Sequence, residues 1–318
     1  MKHKIVLSLA VTVILSLFAG CAAQGNAADQ PLSVAGDGDK LTVYASFYQM
    51  ADFAEKIGGD KVALTTLVPA GTEPHDWEPA AADLAGLEKA DVLVYNGAGM
   101  EHWVEQVLSS VSNKELLAVE AARGISLLPG VHEEDEEAES GEAEAAYDPH
   151  VWLSPKNAKA MLNNIKDALA QADPDNKAYY QENCDRFTAE LDKLDKEFSD
   201  TLAPLPNKDV VVAHQAFGYL CAEYGLNQVA IEGLSPDSEP DPARMAEIID
   251  FVKQNQVKVI FFEELVSPKV AQTVADATGA STDVLNPLEG LTDEQLAAGE
   301  DYFSIMRKNL QALQSALQ

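Results

Sequence analysis

Two α/β lobes with parallel-rich sheets, joined by a long rigid helix, are the fold that three features of the sequence predict. Short, continuously apolar runs alternate with helical segments on both sides of a central stretch. That alternation marks a parallel sheet covered on both faces. The central stretch, 155–203, carries no β signal at all. Hydrophobic residues make up 47% of the 318-residue chain, enough for a packed core, and this length suits about two domains.

The elements follow in order. Thr42-Val43-Tyr44-Ala45 reads as a strand, and Phe47 to Ile57 as an amphipathic helix stopped by Gly58-Gly59. Val62 to Val68 is a second strand and Ala80 to Ala90 a helix. Asp91 to Tyr95 is a strand bounded by Asn96-Gly97, followed by a helix from about Glu101 to Val111 and a strand at Leu116 to Val119. Asn157 to Ala172 is helical, and Pro174 restarts the chain. From Lys177 to Leu202, the residues Phe187, Leu191, Leu194 and Phe198 fall at helical spacing among alternating charges, which is a long helix with one buried stripe. After Pro204 and Pro206 the alternation resumes: strand Asp209 to Ala213, helix Ala216 to Tyr224, strand Gln228 to Ile231, helix Pro242 to Asn255, strand Val257 to Phe262, helix Pro268 to Thr278, strand Thr282 to Leu285 and a last helix from Glu300. The expected division is an N-terminal lobe at 41–155, a helical segment at 156–204 and a C-terminal lobe at 205–318.

Before the folded part, Lys2 and Lys4 precede an apolar run from Ile5 to Phe18. The run is too short to span a bilayer comfortably and has the proportions of a secretory signal, residues 1–20. It ends in Leu17-Phe18-Ala19-Gly20-Cys21, which resembles the lipobox of bacterial lipoproteins. That resemblance implies lipidation at Cys21, with 21–40 as a flexible tether and the protein anchored outside the cytoplasmic membrane; under a plain signal peptide cut nearby, Cys21 is incidental. The 22 Lys+Arg stand against 52 Asp+Glu, a formal net charge of −30. This excludes duplex nucleic acid as a general partner and argues against adsorption to anionic lipid, while permitting an acidic surface around a cation site. Three cysteines are too few for a disulfide scaffold or a four-thiolate metal site. Cys184 and Cys221, both on predicted helices of an exported protein, either pair or stay as buried thiols.

Three histidines sit where helix and strand patterns do not explain them. His75 lies in a loop with Pro69, Pro74 and Pro79 directly after a strand, His150 in Asp148-Pro149-His150-Val151-Trp152-Leu153, and His214 at the end of an apolar strand. Ligands collect at the carboxyl ends of parallel strands. Singly, each histidine is as well explained by capping. Together, rigid loops presenting imidazoles at sheet ends point to a metal site, and imidazole suits zinc in a four-ligand tetrahedral cage. The site requires the lobes to converge.

Glu73-Pro74-His75 with Glu78-Pro79, Asp148-Pro149-His150-Val151-Trp152-Leu153 and His214-Gln215-Ala216-Phe217-Gly218-Tyr219 resemble, in order and over 41–318, the zinc/manganese solute-binding lipoproteins of ABC importers. These are the cluster A-I proteins, including the ZnuA and AdcA types. The resemblance implies metal ligands at His75, His150 and His214 and a metal site in the interlobe cleft. It points to Glu289, in Leu285-Asn286-Pro287-Leu288-Glu289-Gly290, as the fourth ligand, with Asp283, Glu263, Glu264 or water as alternatives. Manganese-selective relatives replace the third histidine by glutamate, so His214 favours Zn2+ over manganese. Behind the ligands, Asp148 is a candidate to orient His150, and Asp76 or Glu78 to orient His75; Asp148 otherwise starts a turn before Pro149. Trp77, Trp152 and Phe217 read as packing that fixes the loops, and His102 as a structural residue at a helix start.

The run HEEDEEAESGEAE from His132 to Glu144 holds eight carboxylates and one histidine. Zinc members of the family often carry a histidine- and acid-rich insertion here. With a single His132, the segment 132–146 reads as a solvated loop with weak auxiliary metal binding at most. The function implied is a monomeric zinc receptor that captures Zn2+ and docks on an ABC permease, not an enzyme: there is no HExxH helix and no Gly-x-Ser-x-Gly elbow. A manganese receptor of the same family, a zinc-dependent hydrolase with Glu289 as base, and a surface adhesin are the other readings.

Overall fold

A computed structural model describes residues 40–130, 146–236 and 240–318. The signal segment, Cys21, nearly all of the tether and the whole acidic run from His132 to Glu144 lie outside the described residues. The first sheet is fully parallel, in the order β2-β1-β3-β4, from β1 (Leu41–Ala45), β2 (Val62–Thr66), β3 (Val92–Tyr95) and β4 (Leu117–Glu120). The second, from β5 (Asp209–Val212), β6 (Asn227–Ala230), β7 (Val259–Phe262) and β8 (Ser281–Val284), is also parallel, in the equivalent order β6-β5-β7-β8. The central strands read as unbroken apolar runs because both their faces are covered: Val92, Leu93 and Val94 are all buried, as are Val210, Val211 and Val212.

The connecting helices are α1 (Tyr48–Gly58), α2 (Ala81–Leu87) and α3 (Val104–Ser110) in the first lobe. In the second they are α6 (Gly218–Tyr224), α7 (Pro242–Asn255), α8 (Lys269–Thr278), α9 (Asp293–Ala297) and α10 (Tyr302–Ala316). Between the lobes stand α4 (Pro155–Ala172) and the 26-residue α5 (Lys177–Leu202). Ser154 caps α4 through the Asn157 amide, with Pro155 at the first helical position. The helix predicted from Glu101 begins three residues later. Glu101 turns its carboxylate back to accept from the Ser46 hydroxyl at 2.6 Å and from the Asn96 and Gly97 amides at 2.8 and 3.0 Å, so it anchors a loop and does not open a helix. α9 escapes the periodicity reading because one short turn has no period; its signature is the reciprocal Thr292–Gln295 capping box.

One apolar core runs through both lobes. It takes Phe53 and Ile57 from α1, Met161 and Ile165 from α4, Leu194 and Phe198 from α5, Leu220 from α6 and Tyr302, Met306 and Leu313 from α10. Phe53 meets Tyr302 edge-on at 5.2 Å, which brings the last helix of the chain against the first. Residues 40–318 therefore form one compact unit, whose two sheets share a central layer of helices. Cys184 and Cys221 are both free and buried, so the possible disulfide is not formed. Each lies in the apolar layer, where burial pushes the thiols above their ordinary range.

Because α5 contributes to a core common to both lobes, truncating Leu194, which is fully buried, weakens the whole unit. Leu194→Ala is expected to cost about 2–5 kcal/mol in chemical denaturation. Both lobes should lose structure at the same shifted midpoint; loss in one lobe alone would contradict a shared core.

Candidate metal centre

Four loops at the carboxyl ends of strands bring His75, His150, His214 and Glu289 together, with their donor atoms all within 4.8 Å of one another. His75 follows β2 in the proline-bounded loop. Its backbone amide donates to both Glu73 carboxylate oxygens at 3.0–3.1 Å, and the loop is tied to the opposite lobe by the Gly71 amide donating to the Leu291 carbonyl at 3.0 Å. His150 stands just before a single 3₁₀ turn at Val151–Leu153. Asp148 accepts from the His150 amide at 3.0 Å and meets the ring Nδ1 at 2.8 Å, which turns Nε2 toward the site.

The second lobe fixes this same loop. The Tyr219 hydroxyl donates to the Asp148 carbonyl at 2.8 Å, Trp152 Nε1–H donates to the Pro287 carbonyl at 2.7 Å, and the Tyr302 hydroxyl donates to the Trp152 carbonyl at 2.8 Å. From the first lobe, Asn96 Nδ2 donates to the Pro149 carbonyl at 2.9 Å. Gly218 has a role that sequence reasoning left unexplained. A Cβ there would lie 2.5 Å from Asp148 Oδ2, so only glycine lets α6 approach the carboxylate that holds His150.

Glu289 sits on the loop after β8. The Asn309 side chain accepts from the Asn286 amide at 2.9 Å and donates to its carbonyl at 2.7 Å, while Asn286 Oδ1 accepts from the Leu288 amide at 2.7 Å. Leu288 is held at φ +62°, the left-handed turn that aims Glu289 inward. The Glu289 Oε1 oxygen lies 2.8 Å from His150 Nε2 and 3.1 Å from His75 Nε2, and those two nitrogens are 3.3 Å apart. A tetrahedral zinc with bonds of about 2.0–2.1 Å separates its ligand atoms by about 3.3 Å, so three edges of such a cage are near size. Lone pairs converging this closely in a buried space are what a cation satisfies.

His214 completes the group from the end of β5, with Nδ1 4.0 Å from Glu289 Oε1. Both its nitrogens are engaged: Nδ1 with Glu263 Oε1 at 2.6 Å and Nε2 with the Leu234 carbonyl at 2.8 Å. His150, His214 and Glu289 are essentially fully buried, while His75 keeps 11% of its side chain exposed and forms the outer wall.

The charges are strongly coupled. Burial opposes the charge on Glu289, but the facing His214 and His75 outweigh it and hold the carboxyl well below its usual range. Burial works against a charged His214 too, yet Glu263 and Glu289 push its pKa up to about 10. His150 is raised against burial by its bonds to Asp148 and Glu289, whereas burial lowers His75. Burial lifts Glu263 above the ordinary carboxylate range, against the pull of His214.

The other sequence candidates fall elsewhere. Asp283 is exposed on β8. Glu264 accepts from Asn286 Nδ2 at 2.7 Å and from Gln295. Glu263 stands behind His214, a partnership that only the pairing of β5 with β7 brings about. Asp76 and Glu78 make no hydrogen bond to the His75 ring; Glu78 lies 3.6 Å from His102, which is 52% exposed and outside the cluster. They were candidates by proximity in sequence, but the loop turns them outward, and Glu73 bonds the backbone. Trp77 packs against Trp103, and Trp152 against Phe47 and His150.

The family described as zinc-uptake complex component A, periplasmic (ZnuA), matches residues 43–316. The chain belongs to the ZnuA family. It is 44% identical over 307 residues to the high-affinity zinc uptake system protein ZnuA of Bacillus subtilis strain 168, covering 96% of each chain. It is 42% identical over 276 residues to the zinc-binding lipoprotein AdcA of Streptococcus pneumoniae strain R6, covering 86% of this chain and 55% of that one. Among solved structures, the Zn(II)-bound ZnuA-like domain of S. pneumoniae AdcA superposes with a TM-score of 0.76 at 40% identity, over 87% of this chain and 99% of that one. The laminin-binding protein of Streptococcus agalactiae, described as a bifunctional protein with adhesin and metal transporting activity, gives 0.78 at 31% identity over 87% of this chain and all of that one. The family is thus one of extracytoplasmic solute-binding proteins, and its fold is the one built above.

The Asp148–His150 contact generates a test. Asp148→Asn keeps the shape but loses the charge behind the ring, and Gly218→Ala pushes a methyl into the same carboxylate. Each is expected to lower metal affinity about 10–100-fold in competition with a chelator. Unchanged affinity in both would remove Asp148 from the support of the site.

Proposed function

We propose that this protein is a high-affinity receptor that captures Zn2+ outside the cytoplasmic membrane and delivers it to the membrane subunit of an ABC permease. The observation that carries the reading is the buried group of His75, His150 and Glu289 donor atoms 2.8–3.3 Å apart, with His214 beside it. Three neutral imidazoles and one carboxylate suit zinc better than the harder manganese ion, and they leave the bound ion a net charge of +1. Four protein ligands leave no coordination position for a reacting water, so capture fits and hydrolysis does not. The carboxylates behind the rings, Asp148 and Glu263, temper the remaining charge.

Among the described residues no helix is long and apolar enough to cross a membrane. Attachment through a lipidated Cys21 would keep the receptor near its permease, and a monomer suffices for that cycle. The core shared by the lobes favours modest movement on release over a wide hinge opening. Adhesion is a property stated for the S. agalactiae neighbour; the metal centre supports transport here.

Alanine at His75, His150 or His214 is expected to weaken zinc by orders of magnitude in calorimetry of the metal-stripped protein, and alanine at His102 is not. Equal tolerance at all four positions, or a preference for manganese over zinc, would defeat this reading.

The pKa directions give a second test. With His214 pushed up to about 10, its ring holds a proton at neutral pH when metal is absent, and zinc needs its lone pair. Binding at pH 7 should therefore release about one proton per ion from this ring, and affinity should rise as pH rises toward the His214 value. Calorimetry in buffers of different ionisation enthalpy measures the release; proton uptake would contradict a protonated His214 in the metal-free site.

A further inference from the structure

The segment His214-Gln215-Ala216-Phe217-Gly218-Tyr219 gives the metal centre one ligand and, at Gly218, clearance for the Asp148 carboxylate. Tyr219 follows on α6, is only 5% exposed, and grips the backbone end of the same aspartate.

Asp148 closes a short antiparallel ribbon. Pro129 bridges to Tyr147, the Gly130 amide donates to the Ala146 carbonyl at 3.0 Å, and the Asp148 amide donates to the Leu128 carbonyl at 3.0 Å. Residues opposed as Leu128 and Asp148 are ordinarily exchange two bonds, each N–H to the other's carbonyl. Here the second link runs through a side chain. The Tyr219 hydroxyl accepts from the Leu128 amide at 2.9 Å and donates to the Asp148 carbonyl at 2.8 Å, so it stands in the ladder where a direct bond would otherwise close it. Burial pushes the phenol up to about 12, so it keeps the proton that it donates.

Removing that hydroxyl either orphans a backbone donor and a buried carbonyl or lets the two strands close directly on each other. Both outcomes shift the Asp148 backbone, and the Asp148 side chain holds His150: Oδ1 accepts from the His150 amide at 3.0 Å and meets ring Nδ1 at 2.8 Å. His214 stands at the start of the same segment, its ring centre 4.9 Å from that of His150. One stretch of the second lobe thus carries one ligand and fixes the support of another that belongs to the first.

We propose that Tyr219 is a positioning residue for metal capture: its hydroxyl, inserted into the Leu128–Asp148 ladder from the opposite lobe, sets the pose of Asp148 and through it that of His150. The proposal rests on the receptor reading only in taking zinc as the captured ion.

The test uses the full chain with Tyr219→Phe, which keeps the ring and removes the hydroxyl. Zinc affinity in competition with a chelator is expected to fall about tenfold, as for other losses behind a metal ligand. Heteronuclear NMR of the histidine rings in the zinc-free chain gives a readout that a loss of stability alone does not move. The His150 Nδ1 signal, bonded to Asp148, should shift, while the His214 Nδ1 signal, bonded to Glu263 at 2.6 Å, should stay in place. Unchanged zinc affinity, or ring signals that move together or not at all, overturns the proposal. In the unaltered chain the Leu128 amide should exchange with solvent more slowly than an open loop amide; exchange at the open-loop rate overturns the clamp however the variant behaves. An unaltered chain that took no zinc would refute the receptor reading, while the ring signals and the amide exchange would still decide on Tyr219.

Discussion

A single carboxylate oxygen, Glu289 Oε1, is the point about which the site is organised. It comes from the C-terminal lobe and meets imidazoles of the N-terminal lobe at 2.8 and 3.1 Å, with 2% of its residue surface exposed. A carboxylate that deeply buried is tolerable only if positive charge faces it. The histidines answer Glu289, and Asp148 and Glu263 answer two of the histidines in turn. The result is a chain of alternating charge that no one lobe contains. Three of its loops are pinned by hydrogen bonds, from the Gly71 amide to the Leu291 carbonyl and from Trp152 Nε1 to the Pro287 carbonyl, that cross from one half of the molecule to the other.

Those crossings have meaning only because the scaffold beneath them is rigid. Two sheets of equivalent strand order are set on a common layer made by α1, α4, α5, α6 and α10, and the core of that layer has no break between lobes. Moving the lobes apart would expose Phe53 and Tyr302 together, and would break the Tyr302–Trp152 bond directly beneath His150. The ion pairs on this layer add less. Arg307 meets Glu190 and Glu197 between α10 and α5 with much of its side chain in solvent, where screening reduces the gain. Rearrangement at the metal centre is therefore confined to side chains and loops.

Much of this was legible in the sequence. Unbroken apolar strands gave away the parallel sheets, and the stripe along Lys177–Leu202 gave away the connecting helix, because burial on both faces and burial on one stripe leave different periods. The histidines stood out as imidazoles in proline-bounded or strand-end loops. Glu289 did not stand out in that way: Glu263, Glu264, Asp283 and Glu289 are all acids near strand ends, and the resemblance to relatives pointed to the last of them. What separates them is tertiary. The β5–β7 pairing puts Glu263 behind His214, and the Asn286–Asn309 bonds with the left-handed turn at Leu288 aim Glu289 inward. Proximity in sequence misled for Asp76 and Glu78, because a loop that carries a ligand turns its neighbours outward. Gly218 was visible only as part of a motif; the reason for it is a carboxylate 70 positions earlier in the chain.

The four donors are not held alike, and the difference bears on how one fold can both take and give up an ion. His75, His150 and Glu289 are gathered by contacts made when the chain folds, with Glu289 Oε1 at hydrogen-bond distance from both rings. His214 stands differently. Its Nδ1 side is fixed by Glu263, but its Nε2 is satisfied by one backbone carbonyl, Leu234, on the irregular stretch that follows β6. A metal ion bound at that nitrogen would replace this hydrogen bond and take the donor away from the part-buried Leu234 carbonyl. A cage with all four donors rigidly placed would bind tightly and release slowly. With three donors gathered and one held by an exchangeable partner, the hydrogen bond remade to Leu234 would offset part of the cost of losing a metal–His214 bond.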